Sequence, residues 1–308
     1  MNRKIDVNMT TKHFTTLLDL DAEQAQWIIE RALELKQLRN EGVRPRIFEQ
    51  RVLAMIFDKS STRTRVSFES AMIEGGGGAI FLSPRDSQLG RGEPIADTAR
   101  VLSQMCDALF VRTFDHNDVE ALAANSDVPV INGLSDEYHP CQLLADMQTY
   151  SEYRGSIKNK RVAWIGDGNN MCNSYINASD RFGFVLNIAS PIGYEAKHLQ
   201  NPPPNARIET FTSPSDAVAN ADLVVTDVWA SMGQESDAQA RVAAFEGYQV
   251  DTQLMSNAAN DALFMHCLPA HRGEEVSAEV IDHPNSIVWA EAGNRLHSQK
   301  ALLEFLWR

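Results

Sequence analysis

Apolar residues recur at helical spacing near the start of the chain. Between Asp21 and Arg39 the apolar side chains fall three or four positions apart, at Ala25, Ile28, Ile29, Ala32 and Leu35. This spacing predicts an amphipathic helix, because residues three and four apart share one helix face. Asp21 is a candidate N-cap, and Gly42 lies just beyond the predicted end.

Short apolar runs of strand length follow and alternate with helical patterns. In the first half we predict a helix over about 95–105 and buried strands at Val52–Phe57, 79–82 and 108–111. In the second half we predict helices over about 141–153 and 295–305 and strands at 162–165, 186–189, 223–226, 263–265 and 287–290. Strands that alternate with helices predict parallel sheets.

The predicted fold class is α/β, with two domains that each contain a parallel sheet flanked by helices. A chain of 308 residues is long for one core and suits two domains of about 150 residues. Because a new series of strands begins after the helix over 141–153, we place the domains at 1–150 and 151–308. We expect the final helix, about 295–308, to pack back on the first domain.

Composition and charge exclude several classes of partner. The chain is 44% hydrophobic and 22% charged, as in ordinary globular proteins, and its formal net charge of −13 repels nucleic acid. No stretch is apolar for long enough to span a bilayer, and no signal-peptide pattern opens the chain. The four cysteines are scattered, which favours reduced thiols. We therefore expect a cytoplasmic protein with no nucleic-acid or membrane partner.

A polar cluster separates the first predicted strand from a helix. It reads Ser61-Thr62-Arg63-Thr64-Arg65 and combines hydroxyls, guanidinium groups and the free amides of a helix start. Such a turn is typical of phosphate binding. The alternative is a structural N-cap with solvated arginines.

Two further segments of the first half offer groups for a polarised carbonyl. His139 stands at the start of a predicted helix, and Gln142 follows three residues later on the same side. Arg112 ends the predicted strand 108–111, at the edge where open parallel sheets bind ligands. The alternatives are a structural imidazole at a helix end and a surface ion pair.

Two turns after predicted strands of the second half are candidates for substrate recognition. The turn 166–171 resembles a dinucleotide-binding turn, but Met171 replaces the third glycine of that motif, which weakens the resemblance. The asparagines of the turn could instead bind a zwitterionic amino acid. A purely structural turn is the alternative. Asp227 follows the strand 223–226 and suits a substrate amine, unless the segment is only a surface loop over Trp229.

A cluster of possible metal ligands or nucleophiles follows the strand 263–265. It contains His266, Cys267 and His271. Cys267 and His271 are only two plausible zinc donors, fewer than zinc normally takes, so we expect no metal. Cys267 is also a conceivable nucleophile, although a reduced core cysteine is the more common outcome.

Taken together, these segments resemble the carbamoyltransferases, and within them the ornithine carbamoyltransferases, over nearly the whole chain. Residues 57–69 resemble the family's carbamoyl-phosphate turn, and 139–142 resemble its carbonyl-binding turn. The features that resemble the ornithine-specific members are 167–171, Asp227 with 231–233, and 266–269. Aspartate-specific members lack the Ser-Met-Gly loop at 231–233 and carry Pro in place of Cys267.

The resemblance implies carbamoyl transfer from carbamoyl phosphate to the δ-amine of L-ornithine, which gives L-citrulline for arginine biosynthesis without metal or cofactor. It implies a phosphate site formed by Ser61, Thr62, Arg63 and Thr64. The carbamoyl end would be held by Thr64, Arg112, His139, Gln142, Cys267, Leu268 and Arg295. The residues with a catalytic role would be Arg63, Arg112, His139 and Cys267.

The resemblance also implies an acceptor site and an assembly. Ornithine would be bound by Asn170, Asp227, Ser231 and Met232. Gln88, in a loop that reaches a neighbouring subunit in the family, would complete that subunit's carbamoyl-phosphate site, which implies a homotrimer or a multiple of trimers. One departure from the family pattern is Gly293, which replaces a common Glu two residues before Arg295.

Three other functions are open at this point. A dinucleotide-dependent dehydrogenase would use the Gly166 turn, but it would leave the cluster at 61–65 without a role. A non-catalytic relative would be expected to have lost ligands, whereas every expected ligand type is present. A carbamoyltransferase for putrescine or an acylated ornithine is closer, although Asp227 with the Ser-Met-Gly loop favours an acceptor with free α-amino and carboxylate groups.

Overall fold

Two parallel sheets, each flanked by helices, form the core of a computed structural model that describes residues 12–83, 92–230 and 238–308. The strand order is β2-β1-β3-β4 in the first sheet and β7-β6-β5-β8-β9 in the second. The first sheet comprises β1 (Val52–Phe57), β2 (Gly78–Leu82), β3 (Ala108–Arg112) and β4 (Val130–Leu134). The second comprises β5 (Arg161–Ile165), β6 (Val185–Ala189), β7 (Arg207–Phe211), β8 (Leu223–Val225) and β9 (Leu263–Met265).

The helices cover the faces of the two sheets. Those of the first half are α1 (Ala22–Asn40), α2 (Thr62–Glu74), α3 (Ile95–Leu102), α4 (His116–Ala124) and α5 (Pro140–Arg154). Those of the second half are α6 (Asn170–Phe182), α7 (Pro214–Val218), α8 (Ala238–Ala244), α9 (Thr252–Met255), α10 (Ala278–Ile281) and α11 (Val288–Leu306). Within the described ranges, no helix has the length and apolar character needed to cross a membrane.

The strand order determines where ligands can bind. In each sheet the strand that comes first in the chain, β1 or β5, has neighbours on both sides, so the chain proceeds in opposite directions from it. In open parallel sheets this reversal leaves a crevice at the carboxyl ends of the strands. The segments after β1, β3, β5, β8 and β9 are those with candidate chemistry.

Most of the predicted elements are confirmed. Asp21 caps α1 by accepting a hydrogen bond from the Gln24 amide at 2.8 Å. The prediction of a buried strand at 79–82 is wrong in its burial, because β2 is an edge strand and Ile80 is 48% exposed. The strands β4 and β7 and the helices α4, α7, α8, α9 and α10 were not predicted.

The strand predicted at 287–290 is wrong. Ile287 is the N-cap residue of α11, and the next three residues form the first turn of this helix. Val288 is fully buried whereas its neighbour Trp289 is 60% exposed. An apolar run of four residues cannot distinguish a strand from a helix turn by periodicity, and here tertiary packing decides.

The final helix lies against the first half of the chain, as expected. It packs on α5, α1 and α2. Leu302 and Leu303 are fully buried in the main hydrophobic cluster, and Arg31 of α1 donates to Glu304 at 2.7 Å. The fold is thus a two-domain α/β fold in which the last helix covers the first domain. The domain limits 1–150 and 151–308 stay a prediction.

Truncation of a buried side chain of the last helix should destabilise the protein. We predict that Leu302→Ala lowers the free energy of unfolding by about 2–5 kcal/mol, because a buried leucine leaves a cavity. Ile192→Ala, a truncation of equal size at a side chain that is 86% exposed, should change it by less than about 0.5 kcal/mol. Urea denaturation at one protein concentration measures both, and equal effects would contradict the assigned packing.

Candidate active site

A cavity of about 1370 Å³ opens between the carboxyl ends of the two sheets. The structure brings eleven of the predicted site residues to its wall, namely Ser61, Thr62, Arg63, Thr64, Arg112, His139, Asn170, Asp227, Cys267, Leu268 and Arg295. The predictions for Gln88, Ser231 and Met232 fall outside the described residues. Gln142 lies behind the wall.

The polar cluster forms the N-terminus of α2. Ser61 is the N-cap: its Oγ accepts from the Thr64 amide at 3.3 Å and donates to the Thr64 hydroxyl at 3.0 Å. The structural alternative is therefore correct for Ser61, but it does not account for Arg63, which donates to the Leu268 carbonyl at 2.7 Å across the cavity. Arg65 instead pairs with Glu69 on the helix surface at 2.8 Å.

Three guanidinium groups, those of Arg63, Arg112 and Arg295, converge on one side of the cavity. Burial, followed by repulsion from Arg295 and Arg63, lowers the pKa of Arg112 to about 10. Burial is also the largest cause that lowers the pKa of Arg295. The Nε of Arg112 is buried without a hydrogen-bond partner among the described residues. Such a concentration of positive charge favours an anion in the cavity.

His139 presents a neutral imidazole to the same region. It is the N-cap residue of α5, and its backbone amide donates to Ser174 Oγ at 2.8 Å, which fixes the start of the helix. Burial, together with Arg295, Arg112 and Arg63, lowers its pKa well below the ordinary value. Within the described part of the chain its Nδ1 has no partner. A neutral ring that faces cations can donate an N–H to a ligand oxygen.

Gln142 contacts Arg295 rather than the cavity. Its Oε1 accepts from Arg295 at 2.6 Å, and its Nε2 donates to Asp146 and Glu291, both at 2.9 Å. Since the carboxamide is fully engaged, Gln142 would influence a ligand through the arginine. Its direct contact with a carbamoyl group stays a prediction.

Arg295 reaches the cavity from the second turn of α11. Its guanidinium donates to the Thr64 hydroxyl at 3.0 Å and thereby joins the last helix to the start of α2. Gly293, where the family commonly has Glu, is exposed and has open space around it. A Cβ at Gly293 would have no neighbour within 4 Å, and the hydrogen bonds of Arg295 to Gln142 and Thr64 do not involve this residue.

The opposite side of the cavity carries a carboxylate and a thiol. Cys267 Sγ donates to Asp227 Oδ1 at 3.2 Å, and Asn169 donates to Asp227 Oδ2 at 2.8 Å. Asn170 lines the cavity but donates to the Ser135 carbonyl at 2.7 Å. Sequence reasoning named Asn170 and missed Asn169. Burial and then Asp227 raise the pKa of Cys267 well above its ordinary value, so the thiol is a protonated donor rather than a thiolate nucleophile.

An ion pair that was not predicted closes this side. Arg241 of α8 lies 3.0 Å from Asp167 in the turn after β5 and donates to the Trp229 carbonyl at 2.7 Å. Burial raises the pKa of Asp167 to about 6 even though Arg241 opposes the shift. The pair fixes the position of α8 beside the cavity. No local sequence signal identifies it, because Arg241 lies in a short, alanine-rich helix and its partner lies far away in the sequence.

Two groups of potential metal ligands occur among the described residues. One comprises Asp227, His266 and Cys267, and the other His271, Glu274 and Glu275. In the first group both ring nitrogens of His266 are engaged, with the Leu268 amide at 2.9 Å and with Glu275 at 3.1 Å. Asp227 and Cys267 alone are fewer ligands than zinc normally takes.

The neutral state of His139 predicts how stability depends on pH. Below about pH 6.5 the unfolded chain binds a proton at this residue and the folded protein does not, so stability falls as the pH falls. His139→Gln should reduce this slope by up to about 1.4 kcal/mol per pH unit between pH 6.5 and 5. Urea denaturation of the ligand-free protein across this range measures it.

Ser174→Ala provides the control for the slope. This variant removes the hydroxyl that accepts from the His139 amide but leaves the number of titrating groups unchanged. It should lower stability equally at every pH. Identical slopes in the parent protein and His139→Gln would show that the ring also binds a proton in the folded state.

Comparison with known proteins agrees with this geometry. Residues 12–152 match the family model described as the aspartate/ornithine carbamoyltransferase carbamoyl-P binding domain, and 158–306 match its Asp/Orn binding domain. The ornithine carbamoyltransferase of Nitrosococcus oceani is 60% identical over 97% of this chain and 98% of its own length. The anabolic ornithine carbamoyltransferase of Pseudomonas aeruginosa is 59% identical over the same shares.

A solved structure shows the same arrangement of the chain. Ornithine carbamoyltransferase from Pyrococcus furiosus is 49% identical and superposes with a TM-score of 0.92, covering 96% of this chain and 97% of its own. The two family models together cover both sheets and the cavity between them. This chain therefore belongs to the aspartate/ornithine carbamoyltransferase family.

Proposed function

We propose that this protein transfers the carbamoyl group of carbamoyl phosphate to L-ornithine, giving L-citrulline and phosphate for arginine biosynthesis. The observation that carries the proposal is a single cavity with three guanidinium groups on one side and the Asp227–Cys267 pair on the other. One side suits an anionic donor and the other a cationic acceptor. The names of the relatives, one of them anabolic, support this choice.

The donor would bind at the N-terminus of α2. Ser61, Thr62 and Thr64 would offer hydroxyl and amide groups to the phosphate, and Arg63 would neutralise its charge. Arg112, His139, Arg295 and the segment Cys267–Leu268 would surround the carbamoyl end. The buried, unpartnered Nε of Arg112 and Nδ1 of His139 support this assignment, because a ligand would supply the missing partners.

Transfer would proceed by direct attack of an uncharged amine. The δ-nitrogen forms a bond to the carbonyl carbon, and the carbonyl π electrons move to oxygen. Arg112, His139 and Thr64 would stabilise this oxyanion by hydrogen bonds. When the carbonyl re-forms, the C–O bond to phosphate breaks and phosphate leaves with the electron pair beside Arg63. The nitrogen transfers one proton to the departing phosphate, which balances the step, and no covalent enzyme intermediate, metal or cofactor is required.

The acceptor would bind on the Asp227 side. The Asp227 carboxylate would pair with an ammonium group of ornithine, and Asn170 would bind the amino-acid end. Ser231 and Met232 follow Ala230, which lies on the cavity wall, so their position in the sequence supports a role beside Asp227. Cys267, as a protonated thiol that donates to Asp227, would order the carboxylate and the amine near it.

The proposal extends to organisation and location. We place the domain limits at 1–150 and 151–308, and we propose a homotrimer, or a multiple of trimers, in which Gln88 completes a neighbouring site. Val66 and Ile73 on α2 and Ile80 on the edge strand β2 are exposed aliphatic side chains, which supports a subunit interface at this surface.

We also propose a cytoplasmic location, with which four free cysteines are consistent.

The dehydrogenase alternative is weaker on the present geometry. A Cβ added at Gly168 would lie 2.1 Å from the Ala196 amide nitrogen, so backbone already packs against this turn where a dinucleotide would need access. The Asn169 side chain is also engaged with Asp227. Titration with NAD, followed by calorimetry, tests this alternative, and tight binding would favour it.

A panel of acceptors tests the substrate assignment. With carbamoyl phosphate as donor we predict citrulline formation from L-ornithine, with acetylornithine, putrescine and aspartate poor by comparison. The reason is that Asp227 and the asparagines suit an acceptor that retains its α-amino and carboxylate groups. Initial rates at equal concentrations measure the preference. Equal or faster turnover of putrescine would exclude ornithine as the preferred acceptor while leaving the donor site intact.

Mixing two inactive variants tests the shared site. We predict that Arg63→Ala and Gln88→Ala are each inactive and regain partial activity when their subunits are mixed. A hybrid trimer contains an interface at which both residues are intact, provided that Gln88 serves its neighbour. Native mass spectrometry verifies the hybrids, and the citrulline assay measures recovery. Verified hybrids without activity would place both residues in the same site.

A further inference from the structure

A pair of carboxyl groups is buried behind the cavity wall. Asp146 of α5 and Glu291 of α11 are 0% and 1% exposed, and one nitrogen atom, Gln142 Nε2, donates to a carboxyl oxygen of each at 2.9 Å. Two carboxylates that share one donor in a buried site repel each other strongly and have lost the water that would stabilise them. One proton between them would remove the repulsion and supply a hydrogen bond.

The surrounding groups are consistent with one remaining negative charge. Gln142 donates to both carboxyls, Tyr175 of α6 donates to Asp146 at 2.8 Å, and the His266 amide donates to Glu291 at 3.0 Å. The titratable groups that face the pair are Tyr175, Cys267 and the Arg295 guanidinium. One cation opposite one shared negative charge gives a neutral buried unit, which is the arrangement of lowest cost.

The pair determines how Gln142 is oriented. Because both amide hydrogens of Gln142 point to the carboxyls, its oxygen must face Arg295, where it accepts at 2.6 Å. The reverse orientation would place an NH₂ group against a guanidinium. Arg295 is thereby directed to the Thr64 hydroxyl and the cavity. Through the His266 amide, Glu291 also fixes the residue that precedes Cys267.

We propose that Asp146 and Glu291 share one proton and act as positioning residues, which orient Arg295 through Gln142 and the start of the Cys267 segment through His266. The inference rests on the proposed function, in which Arg295 and Cys267 hold the carbamoyl end of the donor. The pair connects α5 and α11 with α6, through Tyr175, and with the residue that follows β9, His266. It is separate from the cavity wall that the described residues form.

The electrostatics of the two groups agree with this geometry. Burial raises the pKa of Asp146 to about 6. Burial, followed by the neighbouring Asp146, raises the pKa of Glu291 well above its ordinary value. Both shifts favour the protonated form of the carboxyl group, which is the direction that a shared proton requires.

Infrared difference spectroscopy tests the shared proton without any substrate. At neutral pH the parent protein should show the C=O band of a protonated carboxyl, and Asp146→Asn should remove it. Glu74→Gln is the matched control, because Glu74 is paired with Arg39 at 2.8 Å and its pKa is lowered by its arginine and lysine neighbours against the opposing effect of burial. An unchanged band in Asp146→Asn would overturn the proposal.

Rescue by the isosteric amide tests the positioning role. In Asp146→Asn an N–H replaces the shared proton, Tyr175 can rotate its hydroxyl to accept, and Glu291 keeps the charge opposite Arg295. We expect kcat/KM for carbamoyl phosphate to stay within about tenfold of the parent. In Asp146→Leu we expect a loss of about a hundredfold, because Gln142 and Arg295 lose their orientation.

The two measurements separate this inference from the proposed function. A loss above about tenfold in Asp146→Asn would overturn the positioning role even if Asp146→Leu failed to fold. A parent protein that does not use carbamoyl phosphate would contradict the proposed function, while the infrared band would still decide whether the carboxyls share a proton.

Discussion

Repulsion among closely spaced guanidinium groups is the constraint on which the rest of the site depends. Arg112 and Arg295 are buried, and the half-buried Arg63 lies close enough to repel both of them. The Leu268 carbonyl accepts from Arg63, and the Gln142 carboxamide and the Thr64 hydroxyl accept from Arg295, whereas the buried Nε of Arg112 has no partner among the described residues. An anion bound in the cavity would therefore lower the electrostatic free energy of these three groups.

The first sheet brings positively charged side chains to the cavity, and the second sheet brings a carboxylate and a thiol. Arg63 follows β1 and Arg112 ends β3 of the first sheet, whereas Asp227 and Cys267 follow strands of the second. The last helix belongs to both halves, because it covers α1, α2 and α5 while Arg295 and Glu291 reach the cavity and the end of β9. α11 therefore makes contacts with both halves of the molecule.

The sequence predicted those parts of the fold and site that follow local rules. The strand-to-helix turn at Ser61 and the exits of β3 and β8 were identifiable, because parallel strands place chemistry at their carboxyl ends. The strand at 287–290 was wrong because a short apolar run has no distinguishing period. Edge strand β7 was missed because it is largely exposed and lacks an apolar run. Its pairing with β6 is a tertiary contact.

Buried polar contacts between residues that are far apart in sequence could not be predicted from the sequence. The Asp146–Glu291 pair and the Asp167–Arg241 ion pair join residues that are far apart in sequence, and each partner alone resembles an ordinary helix or turn residue. A partial signal existed at Asp146, because α5 is buried continuously from Pro140 to Tyr150 and a charged residue in such a stretch needs a partner. The identity of that partner required the fold.

The position of α11 has a consequence for biosynthesis. The helices α1, α2 and α5 leave the ribosome early, but the helix that covers their apolar face is translated only after the whole second sheet. The apolar face of the first domain therefore stays uncovered until the second sheet and then α11 have been synthesised. This order of elements therefore leaves an apolar face of the nascent chain exposed during synthesis. Chaperones are the cell's general means of protecting such a face.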